Sequence, residues 1–338
     1  MNSFDVISLG EVLCRFSPCN GERLSQGENF KRQIGGAELN VVSALSNLGC
    51  RSAIITKIPN NQNGTFVKNS IRSFGVSDDL LVYADSKARL GIYFSETGAW
   101  PRKPTVIYDR LNSSFCSLQI DDIPSIAFSS AKIFHTTGIT MALNSEIRNT
   151  AIEILKKFKE NGSKISFDVN FRGNLWTEDL AREVILEILP YIDILFCSEE
   201  TFRRTFRQKD GSLGDIMRSF SKQFDISIIA STKRIAHSPK VHSFCSYIYD
   251  ANQDTIYSEA PYENIDVIDR IGSGDAYIAG VLYSLLNMDW DCQKALQYGN
   301  AFSVLKNTLP GDILCSNITE INSVIAEHNG KVLPEISR

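Results

Sequence analysis

Short apolar runs alternate with helix-spaced ones along most of this 338-residue chain, and that rhythm is the strongest constraint on its fold. Phe4 to Leu9 is an apolar run ending at Gly10. Val41, Val42, Leu45 and Leu48 then recur at helical spacing before Gly49, and Ala53 to Ile58, Phe66 to Phe74 and Leu80 to Tyr83 read as strand, helix and strand. From Lys132 the rhythm resumes: strands at 132–135, 164–169, 193–197 and 226–229 alternate with helices at 145–158, 177–189 and 212–224. Residues 231–240 read as irregular and basic, followed by short strands at 242–249 and 254–258, and helices at 292–306 and 318–328 close the chain. Strands that return through helices form a mostly parallel sheet covered on both faces. The expected fold class is therefore α/β, a three-layer α/β/α domain spanning 1–338 with ligands at the carboxyl ends of the strands.

Two segments depart from the rhythm. Residues 14–30 are polar and broken by Pro18, Gly21 and Gly27, an excursion from the core. Between Arg89 and Phe115 the apolar residues alternate (Leu90, Ile92, Phe94, then Val106, Tyr108), the pattern of a hairpin with one open face. Together, about 12–33 and 89–116 are expected to form a small β lid.

Two glycine turns open helices at opposite ends of the sequence. Gly35-Gly36 precedes the helix that carries Asn40, and Gly272-Ser273-Gly274-Asp275 precedes an apolar helix from Ala276 to Leu286 that Asp275 is placed to cap. The second turn reads either as a turn with a cap or as an anion site, where N–H groups and a helix start attract a phosphoryl group. In the second reading Asp275 stays ionised near neutral pH and accepts a proton from an approaching hydroxyl.

Composition narrows the choice. A formal charge of −4 argues against a general nucleic-acid or anionic-membrane binder, so an anionic ligand must be met by particular Arg or Lys residues. Eight scattered cysteines without a Cys-x-x-Cys pair suggest neither a zinc site nor a disulfide framework. With no leader pattern and no long apolar run, a cytoplasmic location is expected. P-loop, protein-kinase and Gly-x-Gly-x-x-Gly dinucleotide motifs are all missing, which disfavours those enzymes and standard dehydrogenases.

The paired turns, Gly35-Gly36 with Asn40 and Asp269 to Asp275, resemble the two signatures of the ribokinase (PfkB-type) carbohydrate kinases. Gly10-Glu11, Phe16-Ser17-Pro18, Val106 to Arg110, Phe167 to Arg172 with Leu175-Trp176, Ser198-Glu199-Glu200, and Leu305-Lys306 through Pro310-Gly311-Asp312 look like the 2-keto-3-deoxygluconate kinase branch. The resemblance implies a ribokinase-like fold and ATP- and Mg²⁺-dependent phosphorylation of a primary sugar hydroxyl. It gives Asp275 the role of base and the N–H groups of Gly272, Ser273 and Gly274 that of an anion hole. For the sugar acid it implies Gly35, Gly36, Asn40, Tyr93, Tyr108, Arg110, Arg172 and Asp312, with the arginines suited to a carboxylate. Ser198, Thr232, Gly272, Gly274 and Asn307 fall to the nucleotide, and Glu199 or Glu200 to the metal.

Two departures bear on the nucleotide side. Ser198-Glu199-Glu200-Thr201 replaces the family's Asn-x-x-Glu, and Ser231-Thr232-Lys233-Arg234 replaces Thr-x-Gly-x-x-Gly. They leave open a fructokinase-like enzyme, a kinase for another sugar acid, or a sugar-responsive binding protein without turnover. The exposed edge of a small lid suggests a homo-oligomer, a dimer or higher.

Overall fold

In the computed structural model, which describes residues 4–331, strand β1 (Phe4–Leu9) enters the core at once, with Val6 to Leu9 buried. The excursion that follows is more ordered than its polarity suggests. It holds β2 (Leu13–Pro18) and β3 (Phe30–Gly35), an antiparallel pair, before α1 (Ala37–Asn47), β4 (Ser52–Pro59), α2 (Gln62–Ser73) and β5 (Leu81–Ala84). Helix α2 starts earlier than its apolar pattern because Asn61 caps it, accepting from Asn63 N at 2.9 Å. Next come β6 (Ile92–Glu96) and β7 (Thr105–Asp109), the expected hairpin. β6 also pairs with β2, so a separate four-stranded sheet runs β3-β2-β6-β7. All five residues of β7 are exposed at its edge.

The middle of the chain follows the predicted alternation: β8 (Ala131–Thr137), α3 (Gly138–Ala142), α4 (Ser145–Glu160), β9 (Lys164–Asp168), α5 (Glu178–Ile188), β10 (Ile194–Phe196), α6 (Glu199–Arg204) and α7 (Leu213–Phe224). The short helices α3 and α6 are additions that the sequence pattern does not show. Asn144, Thr177, Ser198 and Ser212 cap α4 to α7 through their side chains, each cap contributing about 1 kcal/mol. Residues 231–240, expected to be irregular, are mostly strand: β11 (Ile228–Ser238) pairs with β12 (Val241–Asp250) along its whole length. Its outer half is exposed, so neither face needs apolar side chains, and the pairing is supplied by the partner backbone. The short strands β13 (Thr255–Ser258) and β14 (Tyr262–Asp266) also pair with β12, and the sequence pattern misses β14. Helices α8 (Ser273–Asn287), α9 (Cys292–Asn307) and α10 (Ile318–His328) finish the fold.

The large sheet runs β13-β12-β11-β10-β9-β8-β1-β4-β5, with β14 beside β12. It is parallel from β11 through β5, and β12 with its neighbours forms an antiparallel margin. One face is covered by α1, α2 and α8 to α10, the other by α3 to α7. The carboxyl ends of β1, β9, β10 and β11 and the glycine turns before α1 and α8 open on a common cleft, over which the small sheet lies.

Candidate active site

The cleft holds about 810 Å³ and brings together residues from every third of the chain. Its floor is built by α1 and α8. Gly36 starts α1 at φ +147° and Gly272 starts α8 at φ +84°, conformations that favour glycine. Asn40 and Asp275, 235 residues apart in sequence, meet there: Asn40 Nδ2 donates to Asp275 Oδ2 at 2.7 Å. That leaves Asn40 Oδ1 buried without a partner among the described residues.

Asp275 is not the helix cap. Gly272 occupies that position, and Asp275 lies in the first turn with its carboxylate toward Asn40. Nor is it a plainly ionised carboxylate, because burial, with lesser help from Asp312 and Glu38, pushes it up to about 7 against the opposing pull of Asn40 and Arg172. Ser273 N–H donates to Arg270 O at 3.3 Å in the turn, whereas the N–H groups of Gly272, Gly274 and Asp275 have no backbone acceptor among the described residues. Those open groups stand at the start of a 15-residue helix, where its dipole favours an anion.

Further carboxylates line the same space. Asp168, at the end of β9, is pushed up to about 7, first by burial and then by Asp275. Glu38 is buried, accepts from Thr137 Oγ1 at 2.8 Å and Thr140 Oγ1 at 2.7 Å, and is pushed up by its burial. Neither was singled out by the motif reading, although both stand inside quoted stretches or next to them. Asn170, at φ +38°, turns the chain after β9 with its N–H on Asp168 Oδ1 at 3.1 Å, and Arg172 follows at the cleft wall. Arg172, Arg234 and Arg270 all line the cleft and have no carboxylate partner among the described residues.

The small sheet supplies the opposite wall. Tyr93 and Tyr108 are cross-strand partners with ring centroids 5.5 Å apart. Arg110 lines the cleft, but two of its nitrogens are given to buried Glu11: Nε donates to Oε2 at 2.7 Å, and Nη2 to the same oxygen. Ser113 Oγ holds the other Glu11 oxygen. Only the remaining edge of the guanidinium faces a ligand without disturbing that pair. Asp312 also lines the cleft, with Oδ1 on Arg15 Nη1 at 2.6 Å and Oδ2 on the Tyr93 hydroxyl.

Of the residues expected at the nucleotide, Ser198 and Thr232 line the cleft, Ser198 while capping α6. Three predicted residues lie outside its lining: Gly35, directly behind Asp312 and Tyr93; Asn307, buried beneath Asp269 with its carbonyl accepting from Asp269 N; and Glu199. The metal assignment does not fit well. Glu199 is paired with Arg203 at 2.7 Å and Glu200 with Arg204 at 2.9 Å, and no cluster of three or more metal-type ligands exists among the described residues.

The chain matches the model of the pfkB family carbohydrate kinases over residues 3–319. It belongs to that family. Among curated proteins it is 31% identical over 321 residues to the 2-dehydro-3-deoxygalactonokinase of Haloferax volcanii, covering 95% of this chain and 96% of that one. It is 26% identical to a 5-dehydro-2-deoxygluconokinase of Clostridium botulinum, covering 96% and 93%. Among solved structures, the 2-dehydro-3-deoxygluconokinase of Thermotoga maritima superposes with a TM-score of 0.90 at 30% identity, covering 96% of this chain and 99% of that one. This carbohydrate kinase thus has the ribokinase-like fold expected of it, a mostly parallel sheet between helices with a small separate sheet. Among the described residues no helix is long and apolar enough to cross a membrane.

Proposed function

We propose that this kinase transfers the terminal phosphoryl group of ATP to a 2-keto-3-deoxy sugar acid, with 2-keto-3-deoxygluconate and its 6-hydroxyl as the leading substrate. The observation that carries the reading is Asp275 at the start of α8, beside open helix N–H groups and a cleft bearing unpaired arginines. The names of the relatives, kinases of dehydro-deoxy sugar acids, support the substrate class. Arg172 and the open edge of Arg110 would take the substrate carboxylate, and Asn40 Oδ1, Tyr108 and the Tyr93–Asp312 pair would meet hydroxyls.

In the reaction, Asp275 accepts the proton of the hydroxyl, whose oxygen forms the new bond to phosphorus as the bond to the ADP oxygen breaks. The open N–H groups of α8 hold the equatorial oxygens of the group in transfer. Ser198, Thr232, Arg234 and Arg270 line the end of the cleft assigned to the nucleotide. When bound, Mg²⁺ would supply neutralisation of the phosphate charge, and the described residues offer no cluster of three or more ligands to hold it without ATP. The exposed edge of β7 fits coverage by a second protomer.

The direct test is ADP release with ATP, Mg²⁺ and the keto sugar acid, set against fructose and other neutral sugars. Turnover confined to neutral sugars would sink the acid reading, and sugar binding without ADP release would sink the enzyme reading. Arg172→Met is the cleaner probe of carboxylate recognition, since Arg110→Met also strands buried Glu11. Loss of a charge-assisted hydrogen bond of about 1.5–3 kcal/mol raises KM for the acid roughly 10- to 150-fold. KM for a neutral sugar is expected to stay near its wild-type value.

The raised carboxyls set a pH dependence. A base held near 7 is protonated below that, so kcat/KM falls as pH drops below about 7 and levels off above it. A profile flat from pH 5.5 to 8 contradicts a base with that environment.

A further inference from the structure

We infer that Arg15 is a positioning residue for phosphoryl transfer, one guanidinium that locks the lid sheet to both loops bearing the reaction machinery. The inference rests on the kinase reading above. Arg15 lies on β2 and is 2% exposed. Its Nη2 contacts Asp269 Oδ2 at 2.5 Å and its Nη1 Asp312 Oδ1 at 2.6 Å, while Nε donates to Ser17 Oγ at 2.9 Å and Nη2 to Ser95 Oγ at 3.3 Å. Asp269 opens the turn that leads to Gly272, and its Oδ1 accepts from Ile271 N at 3.1 Å within that turn. Its Oδ2 also accepts from Gly311 N at 3.1 Å, tying the turn to the Asp312 loop.

Asp312 is in turn wedged between the two glycine turns. A Cβ at Gly272 would stand 1.8 Å from Asp312 O, and one at Gly35 would stand 2.2 Å from Asp312 Oδ2. Tyr93, the register partner of Arg15 across β2 and β6, grips the other Asp312 oxygen. Fully buried Lys306 donates to the main-chain carbonyls of Asp269 at 3.0 Å and Leu309 at 3.1 Å, tying the start of the turn to the end of α9. Buried ion networks are a weak source of net stability, since apolar packing does as well. What this network does supply is geometry, because the rigid planar fork of Arg aims separate N–H groups at two carboxylates in fixed directions, whereas an ammonium on a flexible stem fixes no such directions. The wall that meets the sugar is thereby held in register with the turn that meets the phosphate.

The experiment compares purified Arg15→Lys, Arg15→Met and Asp269→Asn with wild type, using kcat per folded molecule, KM for the sugar, KM for ATP and circular dichroism. The sugar is whichever one wild type turns over, so failure of the sugar-acid reading shows in the wild-type control alone. Arg15→Lys is expected to stay folded, with kcat lower and sugar KM higher by about tenfold or more each, and ATP KM near wild type. Asp269→Asn weakens the hold of Arg15 on the glycine turn and the tie to Gly311, so kcat is expected to drop by a larger factor than sugar KM rises. A purely structural role leaves kcat per folded molecule and both KM values unchanged in Arg15→Lys, whatever happens to melting temperature, and that result overturns the proposal. If Arg15→Met fails to fold, the other two variants decide.

Discussion

Asp275→Asn lowers kcat by about 10²–10⁴-fold, the range that a positioned general base contributes, while KM for the sugar stays near wild type. The substitution keeps the shape of the side chain and removes its ability to take a proton, while relieving Asp168 of the charge that helps to push its carboxyl up. Among the described residues Asn40 is the one side chain hydrogen-bonded to Asp275, and it can turn its amide to suit an Asn. Kinetics with the sugar acid check this directly, and retained kcat removes Asp275 from the role. Stability moves the other way. The folded pKa is raised from 3.8 to about 7, so the folded state holds more protons than the unfolded between those values and loses stability as pH rises through that window. Asp275→Asn is free of that loss, and its melting temperature at pH 8 is expected to exceed that of wild type.

Gly272→Ala is expected to cut kcat by about 10²–10³-fold, through position rather than chemistry. Two effects oppose the methyl group. The left-handed backbone at φ +84° costs a non-glycine residue about 1–2 kcal/mol, which the fold can absorb. The second effect decides the outcome: the new Cβ falls 1.8 Å from the Asp312 carbonyl oxygen, a backbone atom that no rotamer change can move aside. Either the turn or the Asp312 loop must shift by more than an ångström, and a displacement of that size costs about a hundredfold in rate. Both segments are also tied to Arg15, so the strain spreads to the lid. A variant that folds with wild-type kcat would show that the N–H groups of this turn do not hold the transferring group.

The outline of the fold was legible because buried parallel strands and amphipathic helices leave periodic apolar traces, as in Phe4 to Leu9 and in the helices of 145–158 and 177–189. Where structure is exposed on both faces the trace vanishes. Lys233 to His237 look like loop and are strand, because pairing with β12 rather than an apolar pattern specifies them. The glycine turns were legible for a different reason, since φ +84° and φ +147° restrict the choice of residue so strongly. Illegible were the buried polar partners. Arg15, Lys306, Glu38 and Asp168 answer to groups up to 297 residues away, and no local pattern encodes such pairings. Arg15 did leave one faint mark, a cation between Cys14 and Phe16 in a strand whose start is buried.

The central place of β1 has a consequence for how the protein is made. Its neighbours in the sheet are β4 and β8, so β1 waits for residues 131–137 before both its edges are covered. Arg15 waits longer still, since Asp312 follows it by 297 residues. At about 5–20 residues per second that interval is roughly 15–60 s, and for most of it, until Asp269 has been made, a cation destined for burial lacks both its counter-charges. The lid therefore cannot be locked to the Asp312 loop, nor the cleft closed on that side, before residue 312 has been made.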